Sequence, residues 1–221
     1  MEKPVLFSYW MSSCSWRVRA ALEFKQIDYE LRTIDLGEGE NRTEEYLSLN
    51  PTGFVPTFLF NGNVICESMA ICEYIEEEFP GPKFLPGDAA NKALIRSLCM
   101  NIVAGIQPLQ IPRVYEKISN DANEQMEFIH NVIDTGFSAI EKRLQKCAGK
   151  YSVGDELTLA DLFLFPQAYN ATDKFGMDLS KYKIISRIIG TLSELPLIQK
   201  THAANQPDNP ANWPSDTRES T

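Results

Sequence analysis

Residues 4–19 read PVLFSYWMSSCSWRVR. The run opens on strand formers, Val5, Leu6, Phe7 and Tyr9, at the length a short buried strand uses. The pattern then breaks at Ser12-Ser13-Cys14-Ser15, three hydroxyls around a thiol. From Trp16 to Lys25 the apolar residues Trp16, Val18, Ala20, Ala21, Leu22 and Phe24 suit a partly buried helix. Small hydroxyls at a helix start cap its orphan N–H groups. The same N–H groups and the helix dipole also hold anions. A thiolate is favoured at such a place, either Cys14's own or that of an incoming ligand. Taken in isolation, Ser-Ser-Cys is equally a capped helix with a small buried cysteine.

Further along, residues 28–34 (DYELRTI) alternate as a half-exposed strand does, and the polar segment 37–50 holds a short helix around 43–49. Thr57-Phe58-Leu59-Phe60 and Val64-Ile65 flank Asn61-Gly62-Asn63, a hairpin signal because Asn-Gly accepts the positive φ of a two-residue turn. Ser68 reads as an N-cap, and Met69, Ile71, Cys72 and Ile75 as a helical face ending near Phe79. The order is β-α-β, an irregular link, then β-β-α. Prolines and glycines from Pro80 to Gly87 mark a linker. Beyond it residues 89–103, 124–147, 159–170 and 183–192 read as helix. The expected division is therefore residues 1–82 as an α/β domain, 83–88 as linker, 89–204 as an all-α domain and 205–221 as an irregular tail.

Composition narrows the function. The chain has 221 residues, 43% of them hydrophobic, and a formal net charge of -9. That balance suits a soluble globular protein and argues against nucleic acid, which needs a basic face. The five cysteines are scattered without a C-x-x-C pair, so neither a disulfide framework nor a zinc site is expected, and no metal. No apolar run approaches the roughly eighteen residues of a membrane span, and the first residues do not read as a signal peptide. The expected compartment is the cytoplasm.

Three more places carry chemistry. Val55-Pro56 leads into a strand, where proline is either a rigid entry or a cis turn that frees backbone groups for an extended ligand. Glu67-Ser68 precedes a helix whose N-terminus suits a carboxylate, with Glu67 able to accept from an ammonium. Thr158-Leu159-Ala160-Asp161 has the spacing of a capping box. His130 and His202 lie in no pattern and read as satisfied or surface residues.

Together these residues resemble the cytosolic glutathione transferases, with an α/β thioredoxin-like N-terminal domain plus an all-α C-terminal domain. SSCSWRVR is similar to the signature of the zeta class, the maleylacetoacetate isomerases. LNPTGFVPTF, ESMAICEYIEE, residues 105–110 (GIQPLQ), residues 151–161 (YSVGDELTLAD) and residues 205–208 (NQPD) agree with it. The resemblance implies glutathione as cofactor, its sulfur beside the catalytic Ser12, Ser13 and Cys14. It implies glutathione contacts at Ser15, Trp16, Arg17, Asn41, Val55, a cis Pro56, Glu67, Ser68 and Gln107, with Trp16, Arg17 and Arg19 mainly anchoring the helix. It implies isomerisation of maleylacetoacetate to fumarylacetoacetate in tyrosine and phenylalanine breakdown, a relation to dehalogenases of α-halo acids, and a homodimer. Two departures bear on the substrate. Lys174 stands where the family has an arginine for the substrate carboxylate, in a segment (NATDKF) one residue longer, and Ile111-Pro112-Arg113 replaces small polar residues, making Arg113 a substitute cation. Two other readings stay open: a thiol oxidoreductase using Cys14, and a non-catalytic glutathione-binding scaffold.

Overall fold

The computed structural model describes residues 2–212. Four strands form one sheet in the order β2-β1-β3-β4. β1 (Val5–Ser8) runs parallel to β2 (Glu30–Thr33), with Val5 opposite Glu30, and antiparallel to β3 (Thr57–Phe60), with Leu6 opposite Phe58. β4 (Asn63–Cys66) closes the hairpin on β3 across Asn61 and Gly62, at φ 49° and 75°. Both central residues of the turn thus have the positive φ that a type I′ turn demands. A parallel β1–β2 pair needs a crossover, and α1 (Ser13–Phe24) supplies it. α1 packs on α3 (Ser68–Glu78), and the Phe58 ring meets Tyr74 of α3 edge-on at 6.3 Å. Phe7 points to the other face, where it clusters with Ile34, Val55 and Tyr46 of α2 (Glu44–Leu49). Between α1 and α3 a buried ion pair joins Lys25 to Glu76 at 2.9 Å, and the same ammonium donates to Phe79 O at 3.1 Å.

The chain separates into two compact units, Met1–Pro82 with the segment from Leu195 onward, and Lys83–Glu194. The second is helical. α4 (Ala89–Gly105), α5 (Pro112–Ile118), α6 (Ala122–Cys147) and α8 (Lys183–Ser193) join α7 (Leu159–Tyr169), which is buried along nearly its whole length. A helix apolar on every side has no solvent face to offer. α6 buries a single stripe, Ile129, Ile133, Phe137, Ile140 and Leu144, at the spacing of one helix face. The Thr158–Asp161 capping box is present: the Asp161 carboxylate accepts the backbone N–H and hydroxyl of Thr158 at 2.8 and 2.9 Å, and the Ser152 N–H at 2.7 Å.

The structure corrects several boundaries. Residues 83–88 are no free linker, because Phe84 and Leu85 are buried and Phe84 O accepts from Leu159 N at 2.8 Å. Residues 195–204 were expected in the helical domain, yet α9 (Pro196–Thr201) packs on α1 of the first unit. The segment 205–221, expected to be an irregular tail, begins at the end of a 3-10 turn (Ala203–Asn205), holds another at Pro210–Asn212 and buries Gln206 and Asn209; the rest of it, 213–221, lies outside the described residues. α5 is a further helix that the pattern does not show, since a seven-residue element has too few periods to declare itself. Ser68 is not an N-cap: Glu67 occupies that position, and Ser68 is the first helical residue.

Candidate functional site

In the first unit the site begins where β1 ends. The N-cap of α1 is Ser12, whose hydroxyl accepts from Ser15 N at 3.2 Å. A cap of this kind contributes roughly 1 kcal/mol. Ser13 is buried and Cys14 is half-buried in the first turn. The N–H groups of that turn have no intrahelical partners and carry the positive end of the dipole.

α3 supplies a second helix N-terminus. Glu67 enters it at φ 70° and ψ 118°, a conformation costly for a side-chain-bearing residue, with its carboxylate exposed. Ser68 follows, and its hydroxyl accepts from Arg17 Nη1 at 3.1 Å. Arg17 is fully buried, so its charge lies beneath the α3 N-terminus and not in solvent. The chemistry of this donor set fits two anionic groups and one ammonium, the thiolate and the γ-glutamyl end of glutathione.

Val55-Pro56 is a cis peptide bond. The loop before it is pinned from below: Tyr46 Oη and Asn50 Nδ2 donate to Phe54 O at 2.7 and 2.8 Å, and Asn50 Nδ2 also reaches Thr57 Oγ1 at 3.0 Å. Asn41 turns its amide to Gly53 O at 2.6 Å, a bond within the protein.

Not every expected contact residue faces this site. Ser15 and Trp16 are buried in the unit's interior, and Trp16 Nε1 donates to Thr201 Oγ1 at 3.1 Å. Helical geometry explains it: successive residues rotate by about 100°, so Cys14 and its next neighbours cannot share a face. Their part is anchoring, as is that of Arg19. Of the other cysteines, burial pushes the thiols of Cys66, Cys72 and Cys147 upward and Cys99 is buried; neither these four nor Cys14 is in a disulfide. Neither histidine stands apart from the fold: His130 Nε2 lies 2.7 Å from Phe175 O, and the His202 ring meets Trp16 at 4.8 Å.

In the second unit, Gln107 opens a 3-10 turn, Gln107–Leu109, after α4, and Arg113 lies exposed in the first turn of α5. Lys174 ends a π-helical turn, Asn170–Lys174, closed by Phe175 N to Asn170 O at 3.0 Å. A π turn accommodates one extra residue in a helix, and this one spans residues 170–174 of the NATDKF segment. The Lys174 ammonium lies 5.3 Å from the Phe175 ring centroid, and desolvation lowers its pKa although the residue keeps an exposed surface. Gln110 and Gln167, both buried, exchange amide hydrogen bonds at 3.3 and 2.8 Å. That pair fastens the turn bearing Gln107 to the helix that leads to Lys174.

Sequence reasoning missed Tyr46, Asn50 and the Gln110–Gln167 pair. Asn50 had a signal, standing before Pro51 in a turn; the others act across elements that no local pattern relates.

A thioredoxin-like sheet flanked by the N-termini of α1 and α3, followed by an all-helical unit, defines the glutathione transferase class of fold. Residues 3–77 match the family model for the glutathione S-transferase N-terminal domain, and residues 109–203 that for the C-terminal domain. A maleylacetoacetate isomerase of Mus musculus is 46% identical over 211 residues, 95% of this chain and 96% of its own. The holo structure of a maleylpyruvate isomerase, a bacterial zeta-class glutathione S-transferase, superposes with a TM-score of 0.86 at 33% identity, over 92% of this chain and 99% of that one. A maleylacetoacetate isomerase of Anaeromyxobacter dehalogenans, with glutathione bound in its active site, does so at 0.85 and 36%, over 94% and 98%. This chain belongs to the glutathione S-transferase family, zeta class.

Proposed function

We propose that this protein is a glutathione-dependent cis-trans isomerase converting maleylacetoacetate to fumarylacetoacetate. The observation that carries the reading is the first turn of α1, where Ser12, Ser13 and Cys14 stand at a helix N-terminus in a chain 46% identical to a maleylacetoacetate isomerase. Glutathione, when bound, would supply a thiolate nucleophile for reversible addition to the conjugated double bond. The chain's own part is electrostatic. The Ser12 and Ser13 hydroxyls and the first-turn N–H groups stabilise negative charge on sulfur. The α3 N-terminus with Ser68 would hold the γ-glutamyl carboxylate, exposed Glu67 would accept hydrogen bonds from the γ-glutamyl ammonium, and Val55 would pair with the cysteinyl backbone. Gln107 is a further proposed glutathione contact, and Lys174 and Arg113 are the proposed partners of the substrate carboxylates. The protein works as a cytosolic homodimer.

Glutathione-dependent isomerisation of maleylacetone by the purified protein tests this. A rate no higher than buffer with glutathione would overturn it. A second reading, thiol oxidoreductase, is favoured by the half-exposed Cys14 thiol. Cys14→Ala decides between them: isomerase activity kept while reductase activity vanishes separates the roles, and isomerisation reduced to background makes Cys14 itself catalytic.

A further inference from the structure

The segment after α9 is held to the first unit by bonds that converge on one place, the loop Tyr9-Trp10-Met11 between β1 and the N-cap of α1. The Asp208 carboxylate accepts the Trp10 N–H at 2.7 Å. Arg19, fully buried, spends its donors on the same loop and on the returning segment. Nη1 reaches Ser8 Oγ at 2.9 Å and Tyr9 O at 3.3 Å; Nη2 reaches Trp10 O at 3.2 Å and Thr201 O at 3.3 Å; Nε reaches Thr201 O at 3.4 Å. A guanidinium has five N–H donors in a rigid fork, and here each has an acceptor. Tyr9 O also accepts Ser12 N at 3.1 Å, and Tyr9 N lies 3.5 Å from Ser15 Oγ. Both backbone polar groups of both Tyr9 and Trp10 are therefore fixed by partners, and the next residue but one is Ser12.

The returning segment is itself built to present Asp208. Gln206, buried, donates to Lys200 O and His202 O at 3.2 and 3.0 Å; Asn209, buried, to Ala203 O and Ala204 O at 3.4 Å; and Asn212 to Ala204 O at 2.6 Å. Lys200 pairs with Glu23 of α1 at 2.7 Å. Side-chain amides here do what a ladder or helix does elsewhere, holding an irregular backbone in one shape. Burial lowers the Arg19 guanidinium to about 10, still charged at neutral pH, and the Asp208 charge acts the other way, raising it.

We propose that this C-terminal segment is a strap that sets the geometry of the thiolate site, with Asp208 and Arg19 as its positioning residues. Neither touches the sulfur. They fix the two peptide units that decide where the α1 N-terminus begins and where Ser12 and Ser13 stand. The proposal rests on the glutathione reading given above. The γ-glutamyl end is held by a separate element, α3, so loosening the strap should spoil ionisation of the thiol far more than binding.

The test is Asp208→Ala in the full chain, read three ways: ultraviolet absorbance of the bound glutathione thiolate against pH, glutathione affinity by calorimetry, and deuterium exchange at the Trp10 amide. The expected result is a thiol that ionises at higher pH, faster exchange at Trp10, a fall in kcat of about tenfold or more and little change in affinity, since small misplacements at a reacting centre are costly. A folded Asp208→Ala protein with wild-type thiolate titration and kcat overturns the strap. If Asp208→Ala does not fold, Arg19→Lys decides: it keeps the charge and loses the fork, and unchanged titration and Trp10 exchange overturn the proposal. Absence of any bound thiolate in the wild-type protein overturns the glutathione reading instead.

Discussion

Ser12 does two things with one oxygen. It accepts Ser15 N and so starts α1, and the hydroxyl proton that this leaves free is, on the function proposed above, the donor for sulfur. Capping and anion binding are thus one arrangement, and that much follows from the residue types in SSCS. At the same scale Lys174, in the role proposed for it, meets a carboxylate as a point charge and not as a fork. Its pKa is lowered by burial, so the sign is definite: the ammonium is intact at low pH and loses its proton earlier than an ordinary lysine as pH rises. The KM for a carboxylate substrate is therefore expected to climb on the alkaline side, and Lys174→Arg to move that climb to higher pH. Steady-state kinetics across pH would show it, and an alkaline limb that Lys174→Arg leaves in place would assign it to another group.

Elements whose meaning is local were readable from pattern alone: the Asn61-Gly62 turn, the β1-to-α1 transition, the helix over residues 124–147 and the cap at Thr158. The π turn at Asn170–Lys174 was not, because an inserted residue in a helix leaves the surrounding composition unchanged and shows only in the hydrogen-bond register. Ser68 shows the same limit: a serine before a helix reads as a cap, while its actual neighbour, Arg17, comes from a different helix. Close approach of elements is likewise invisible. Gly136 lies on α6 where a methyl group would run into Cγ1 and Cδ1 of Ile106, the residue before Gln107. Gly136→Ala is expected to cost about 1–3 kcal/mol as overpacking does. Denaturant unfolding checks it; an unaltered midpoint would mean that the helix moves aside freely.

At the scale of the whole molecule the chain returns to its beginning. A protein ending at Glu194 would lack α9 and everything after it, leaving Trp16 and Arg19, both buried in the intact unit, without their Thr201 partner. It is expected to lose glutathione binding and to show red-shifted Trp16 emission, with the helical unit still giving strong helical circular dichroism. Wild-type binding by that shortened chain would show that the first unit needs no returning segment. The sequence by itself determined the thioredoxin-like order of strands and helices, the helical character of the second unit, and the Ser-Ser-Cys, Val-Pro and Glu-Ser positions, because each rests on periodicity, turn chemistry or capping over a few residues. Only the tertiary structure decided that residues 195–212 belong with residues 2–82, that Trp16 turns inward, and that Asp208 grips Trp10. Those depend on which surfaces meet after folding, and a hydrogen bond between residues nearly two hundred positions apart leaves no trace in the local pattern of either.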